Sequence, residues 1–272
     1  MESSLIENKK VRYEWLDAVK AFAMVLVIFG HLGLNSITTY QSYASFIKLP
    51  LFFVASGFVF NPKKTKDTLL FLKSRIQRIL LPYFYLCFVI CVLNLILYRQ
   101  DVATWLKDSL RSVFTGTIYM WFLPVLFLCN VMMFFVFRLI KGKNVPIIIS
   151  AVLSLILGYV LIPEKPIPFS VNEVLIAYPF CIIGYYLKTT VLKWNNKILI
   201  ALGSISLLLF SVLPLIYKHF NGRMNYINMK ENHYSLFCFD ILISLCGVIG
   251  IFLLVRYLKI PKPVSWFGQN TI

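Results

Sequence analysis

Long apolar runs alternate with short polar segments along almost the whole chain, the signature of repeated membrane-spanning helices. Eight runs stand out: Trp15–Leu34, Ser45–Phe60, Ile79–Tyr98, Thr117–Phe137, Val145–Ile162, Val174–Leu187, Ile198–Tyr217 and Tyr234–Val255. The sixth is short and leans on Glu173 at its mouth. A ninth begins at Val264 and stops with the chain at Ile272. The pattern predicts an all-α polytopic transmembrane helical bundle of about eight spans plus the start of a ninth, truncated at its C-terminus. Residues 1–272 read as a single integral-membrane domain, with neither internal repeat nor low-complexity tract.

Composition agrees with lipid as the main solvent. The chain is 59% hydrophobic and 14% charged, against about 45–50% and about 25% in soluble domains. Met1–Val11 is polar and no small-residue cleavage site follows the first run, so that run is read as a retained anchor. The net charge of +16 reflects basic loops facing anionic lipid, not nucleic acid. Most of the 27 Lys and Arg fall in alternate loops, from Lys9, Lys10 and Arg12 to Arg256, Lys259 and Lys262. This bias predicts a cytoplasmic N-terminus in a multi-pass plasma-membrane protein. The six cysteines all lie in apolar runs and read as small core residues, with neither a disulfide framework nor a metal site expected.

The first run carries the most suggestive chemistry. It opens with charge and holds His31 well inside its apolar part, where a titratable group is expensive. Lys20 and His31 are eleven residues apart, roughly 20° from a whole number of helical turns and about 16 Å of rise. Asp17 and Asn35 fall near the same stripe. Such a line suits a membrane enzyme with a general base, and it also suits a packing histidine bonded to its neighbours. Arg75 and Arg78 project from one helix face at the start of the third span, a pair suited to phosphate oxygens or to lipid head groups. The segment Lys218–His233 is rich in asparagine and carries Tyr226 and Asn232, side chains that could meet a sugar. Asp240, inside an apolar run, reads equally as a functional acid or as a structural partner. A transporter using Lys20, His31 and Asp240 as a proton or anion relay is the competing class, though no second copy of the first-span pattern supports it.

Five stretches in order resemble the membrane-bound acyltransferase family 3, the O-acetyltransferases of bacterial polysaccharides. They are LDAVKAFAMVLVIFGHL, KLPLFFVASGFVF, KSRIQRILLPY, MWFLPVLF and YINMKENHYSLFCFDILISLCGVIGIFLL. The last is similar to the fucose 4-O-acetylase-like branch. The resemblance implies about ten spans, acetyl-CoA or another acyl-CoA as donor substrate with no bound cofactor, and as acceptor a hydroxyl of a glycan or its lipid-linked precursor. It implies a bacterial inner-membrane location. His31 becomes the catalytic candidate, with Lys20 and Asp17 beside it, and Arg75 and Arg78 the donor-binding candidates. The family often has Arg where this chain has Lys20. Asp240, Asn232 and Tyr226 are the expected acceptor-side residues. Acyl transfer to a hydroxyl needs its proton removed as the bond forms. A histidine, with a reference pKa of about 6.5, does that near neutral pH.

Overall fold

The computed structural model describes residues 12–32, 38–63, 67–98, 102–115, 121–161, 170–231 and 233–271. In chain order the helices are α1 (Glu14–His31), α2 (Thr38–Val59), α3 (Thr68–Arg75), α4 (Leu81–Tyr98), α5 (Val102–Thr115), α6 (Phe122–Leu139), α7 (Asn144–Val160), α8 (Val171–Lys193), α9 (Asn196–Asn221), α10 (Phe237–Val255) and α11 (Lys262–Gln269). A π-turn, Ile76–Leu80, joins α3 to α4 without a break. A two-residue antiparallel pair, β1 (Ile227–Asn228) and β2 (His233–Tyr234), sits between α9 and α10.

Among the described residues, six stretches are long and apolar enough to cross a membrane: α2, the continuous rod Thr68–Leu97, α6, α8, α9 and α10. The first predicted span forms α1, which carries Glu14, Asp17 and Lys20 in its opening turns. The fifth forms α7, only 17 residues long. The eight expected spans therefore comprise six that qualify on length and composition and two that fall short of one or the other. The sixth run, expected to be short, extends to 23 residues as α8 because polar residues at both ends join the helix. The nascent ninth run forms the eight-residue α11.

Local sequence explains several boundaries. Asp67 caps α3 by accepting hydrogen bonds from the backbone N–H of Leu69 (2.8 Å) and Leu70 (3.4 Å). Asn195 caps α9 in the same way through the N–H of Lys197. Gly222, at φ +72°, ends α9 in the left-handed conformation a glycine takes freely.

α2 and α8 form the centre of the bundle. Their backbones touch at a pair of glycines: a Cβ on Gly57 would lie 1.8 Å from the carbonyl oxygen of Cys181, and one on Gly184 would lie 2.0 Å from that of Val54. Small residues permit this approach where apolar burial alone gives helices in lipid little reason to associate. Asn130 of α6 adds an interhelical bond, donating to Ser56 Oγ at 3.0 Å. Phe46, Phe53, Phe58, Phe180 and Phe252 fill the core from three helices. The outward sides of α4, α7 and α9 expose Phe88, Ile96, Val152, Ile156, Leu208 and Leu215, as lipid-facing helices do.

α1 packs against α2 on one side and α11 on the other. Gly268 of α11 lies so close to α1 that a Cβ there would sit 1.7 Å from the Asp17 carbonyl oxygen. One end of the bundle thus gathers the start of α1 and α11. The other end gathers His31, the start of α2, Trp121 before α6, and the β1–β2 hairpin.

Candidate active site

At the hairpin end a cavity of about 1420 Å³ opens between α1, α2, α4 at Leu86, the start of α6, the segment 218–230 and Thr271 beyond α11. His31 lines it, with Met24 and Val27 below on the same helix. The imidazole is exposed to this space and makes no hydrogen bond among the described residues. That differs from the packing histidine the sequence also allowed, whose ring nitrogens would be occupied. His31 also ends its helix and does not sit in the middle of it. It is the last residue of α1, and Leu32 closes the helix by donating its N–H to Phe29 O. A basic group at a helix C-terminus meets the negative end of the helix dipole.

Asp17 and Lys20 lie at the other end of α1, outside the cavity lining. The Asp17 carboxylate is buried and accepts from Arg12 Nε and Lys20 Nζ, both at 2.9 Å. Arg12 also donates to Ser265 Oγ at 3.0 Å. This network ties α1 to α11 and holds the lysine in place. The Lys20–His31 stripe exists as a helix face, with its two basic groups about three turns apart.

Arg75 and Arg78 stand apart from both. Arg75 lies over the Phe71 ring, 5.4 Å from its centroid, and Phe71 stacks on Phe134 of α6 at 4.2 Å. Arg78 sits in the π-turn and is exposed. A π-turn disturbs the expectation of one shared face, since it adds a residue to the turn between them. The guanidiniums remain close enough to feel each other's charge. Neither lines the cavity.

On the expected acceptor side, Tyr226 lines the cavity and stacks on His233 at 4.8 Å. Asn232 lies outside the described residues. Asp240 is fully buried and does not line the cavity. Its carboxylate accepts from Asn225 Nδ2 at 2.6 Å and from the Leu236 N–H at 2.9 Å. With these bonds Asp240 pins the hairpin segment to α10. Tyr234 is packed beside it, and burial together with the Glu173 and Asp240 carboxylates holds its phenol well above the ordinary range.

Lys48 and Trp121 line the cavity although the sequence reading assigned them other roles, and Arg223 joins them from the asparagine-rich segment Lys218–His233. Lys48 reads in sequence as a lysine snorkelling to the membrane surface, and Trp121 as part of an aromatic belt. Only the fold brings them to His31's cavity. Among the described residues, no group of three or more His, Cys, Asp or Glu is placed to hold a metal ion.

Comparison with curated proteins and with solved structures returned no match. A family model described as an acyltransferase domain, Acyl_transf_3, matches residues 13–272, from the residue before α1 to the end of the chain. That span takes in the helical bundle, the charged network at the start of α1 and the histidine-lined cavity. The chain belongs to the acyltransferase 3 family and is a membrane acyltransferase.

Proposed function

We propose that this acyltransferase moves an acetyl group from acetyl-CoA to a hydroxyl of a cell-surface glycan or its lipid-linked precursor, with His31 as general base. The acceptor oxygen attacks the thioester carbonyl carbon while His31 Nε2 or Nδ1 takes the hydroxyl proton. The C–S bond breaks, and the CoA thiolate leaves and is reprotonated from the imidazolium. A transient acetyl-imidazole on His31 is a variant of the same chemistry. The observation that carries this reading is the free imidazole on the wall of a cavity roomy enough for a sugar, where no structural bond among the described residues claims it.

Arg75 and Arg78 serve the donor in this scheme. Two guanidiniums can grip phosphate oxygens bidentately. Phe71, one turn before Arg75, stacks at the level of Phe134, and the cavity meets α6 at Phe122. Those two levels are twelve residues apart on one helix, about 18 Å. A CoA head held at the arginines would send its extended pantetheine arm along α6 towards His31. The basic loops around Arg75 favour the cytoplasmic side for this end, with the acceptor arriving from the other face. The resemblance to fucose 4-O-acetylases supports a sugar hydroxyl as acceptor and a bacterial inner membrane as the setting.

The test is acyl transfer in membranes. Acetyl-labelled CoA is supplied to membranes holding wild type or His31→Ala at matched expression, and label is counted in glycolipid and polysaccharide fractions. The proposal expects the label to fall by a factor of about 10²–10⁴ in the variant. Equal labelling by both proteins would remove His31 from the mechanism.

A further inference from the structure

The charge around the cavity bears on what enters it. His31, Lys48, Lys218, Arg223 and Lys230 all line it, and no Asp or Glu among the described residues does. Lys230 has electrostatic company from Glu173. Lys48, Lys218 and Arg223 form no ion pair among the described residues, whose ion pairs are Arg12–Asp17 and Lys20–Asp17 at the far end of α1.

Lys48 is the most telling of the three. It is half-buried on α2, and its ammonium runs against α1, 3.3 Å from where a Cβ on Gly30 would be. The glycine leaves room for the lysine beside the residue that precedes His31. An ammonium partly withdrawn from water is costly unless something of opposite charge answers it. No carboxylate of the described chain does so here. Lys218 and Arg223 add positive charge from the end of α9 and from the segment that follows Gly222. The same cavity offers surfaces that suit a sugar ring: Trp121, Tyr226 and the Asn228 side chain.

We infer that the acceptor taken at this cavity is anionic: a sugar carrying a phosphate or carboxylate near the hydroxyl to be acylated, met by Lys48 beside His31 and by Arg223 on the loop wall. The inference rests on the acyltransferase reading above and narrows its acceptor. Two sources share this chemistry, a lipid-linked sugar with a phosphate head and a glycan of acidic sugars. A neutral glycan would leave the half-buried Lys48 unanswered.

The full chain, purified into nanodiscs of zwitterionic lipid, is titrated with four soluble probes and one lipid probe. The soluble probes are N-acetylglucosamine 1-phosphate, glucuronic acid, N-acetylglucosamine and glucose. The lipid probe is a short-chain prenyl-diphosphate-linked N-acetylglucosamine. Anionic probes are expected to bind at least tenfold more tightly than their neutral counterparts, about 1.4 kcal/mol. Lys48→Gln and Arg223→Gln each weaken anionic probes about tenfold and leave neutral ones within about twofold. Lys48→Arg, which keeps the charge, restores binding and controls for folding. Preference for the phosphate probes identifies the lipid-linked source, and preference for the uronate identifies an acidic glycan. Equal binding of charged and neutral probes overturns the inference, as does no binding of any anionic probe at millimolar concentration. It is also overturned if CoA competes with the sugar phosphate and Lys48→Gln weakens CoA itself, because the cavity would then be the donor's. Transfer from labelled acetyl-CoA is measured on the same preparations. Charge-selective binding without transfer would refute the proposed acetyl transfer from acetyl-CoA and leave the cavity's preference standing. Transfer without charge selectivity would refute the anionic acceptor alone.

Discussion

Asp240 offers the sharpest separation between holding the fold and moving protons. Its carboxylate, with no exposure to solvent, accepts from Asn225 Nδ2 and from the Leu236 N–H. Bonds to a charged acceptor contribute about 1.5–3 kcal/mol each. Asp240→Ala removes both acceptors and leaves the buried Asn225 amide and the part-buried Leu236 N–H unpaired, so a loss of about 3–4 kcal/mol is expected, towards the low end of that range for two bonds. Asp240→Asn should cost far less, about 1 kcal/mol. The new amide keeps one oxygen for the Leu236 N–H. Its NH₂ faces Asn225, whose Oδ1 is buried, has no partner among the described residues and can accept once that side chain rotates. The segment being pinned carries Arg223 and Lys230, both trypsin sites. Each 1.4 kcal/mol of lost stability raises local opening tenfold. Asp240→Ala should therefore be cut there more than a hundredfold faster than wild type, and Asp240→Asn about fivefold faster. Acyl transfer should follow the same order, nearly lost in the first and largely kept in the second. Two results would refute this reasoning. One is Asp240→Ala with an intact, protease-resistant segment. The other is Asp240→Asn that folds normally yet transfers no acetyl, which would mark a titrating role and revive a proton relay.

Three further expectations test other parts of the molecule. Arg75→Ala should raise the apparent KM for acetyl-CoA about tenfold with kcat little changed, while Leu72→Ala on the same helix should not; matching rises would sink the donor clamp. Gly57→Ala forces a Cβ to within 1.8 Å of the Cys181 carbonyl oxygen, so α2 and α8 must part; overpacking of this severity should cost about 3 kcal/mol, read as loss of monodisperse protein on mild heating, and a wild-type melting profile would disprove the backbone contact. Asp17→Asn weakens the pairs to Arg12 and Lys20, and because Arg12 is half exposed the expected loss is only about 1–2 kcal/mol; the melting difference should shrink in high salt, and one that is indifferent to salt would argue against an ionic contribution.

Much of the bundle was legible because period and length alone mark helices in lipid, and each expected run overlaps an observed helix over most of its length. The Lys20–His31 stripe was legible for the same reason, as a matter of helical phase within one element. What escaped depends on contacts between elements. Lys48 looks like an edge residue in its own run, and only the packing of α1 on α2 brings it to Gly30. Asp240 looks deep in an apolar stretch, yet the helix starts just three residues earlier, at Phe237, so the acid sits in the first turn. α5 was missed although it carries a signal. Val102, Trp105 and Leu106 stand three and four residues apart, the spacing of one helix face, and Trp105 anchors the helix by donating to Cys91 O at 2.6 Å. The charges of Lys107, Asp108 and Arg111 interrupt its apolar positions and hid it from a search for spanning runs. The π-turn has no signature in hydrophobic pattern at all.

That π-turn also sets the phase of everything after it. One residue more than an α-turn rotates the following helix by roughly 100°. The rod Thr68–Leu97 therefore meets α6 in two different phases and adds α5 only in the second. Before the turn, Phe71 is aimed at Phe134. After it, the seam Tyr83–Cys87–Cys91 is aimed at Leu123 and Trp105. Removing a single residue from 76–80 would restore an uninterrupted α-helix and swing that seam out into lipid, leaving α5 without its seat. The irregularity works as a gear between two registers, so this stretch should tolerate substitution far better than any change in its length.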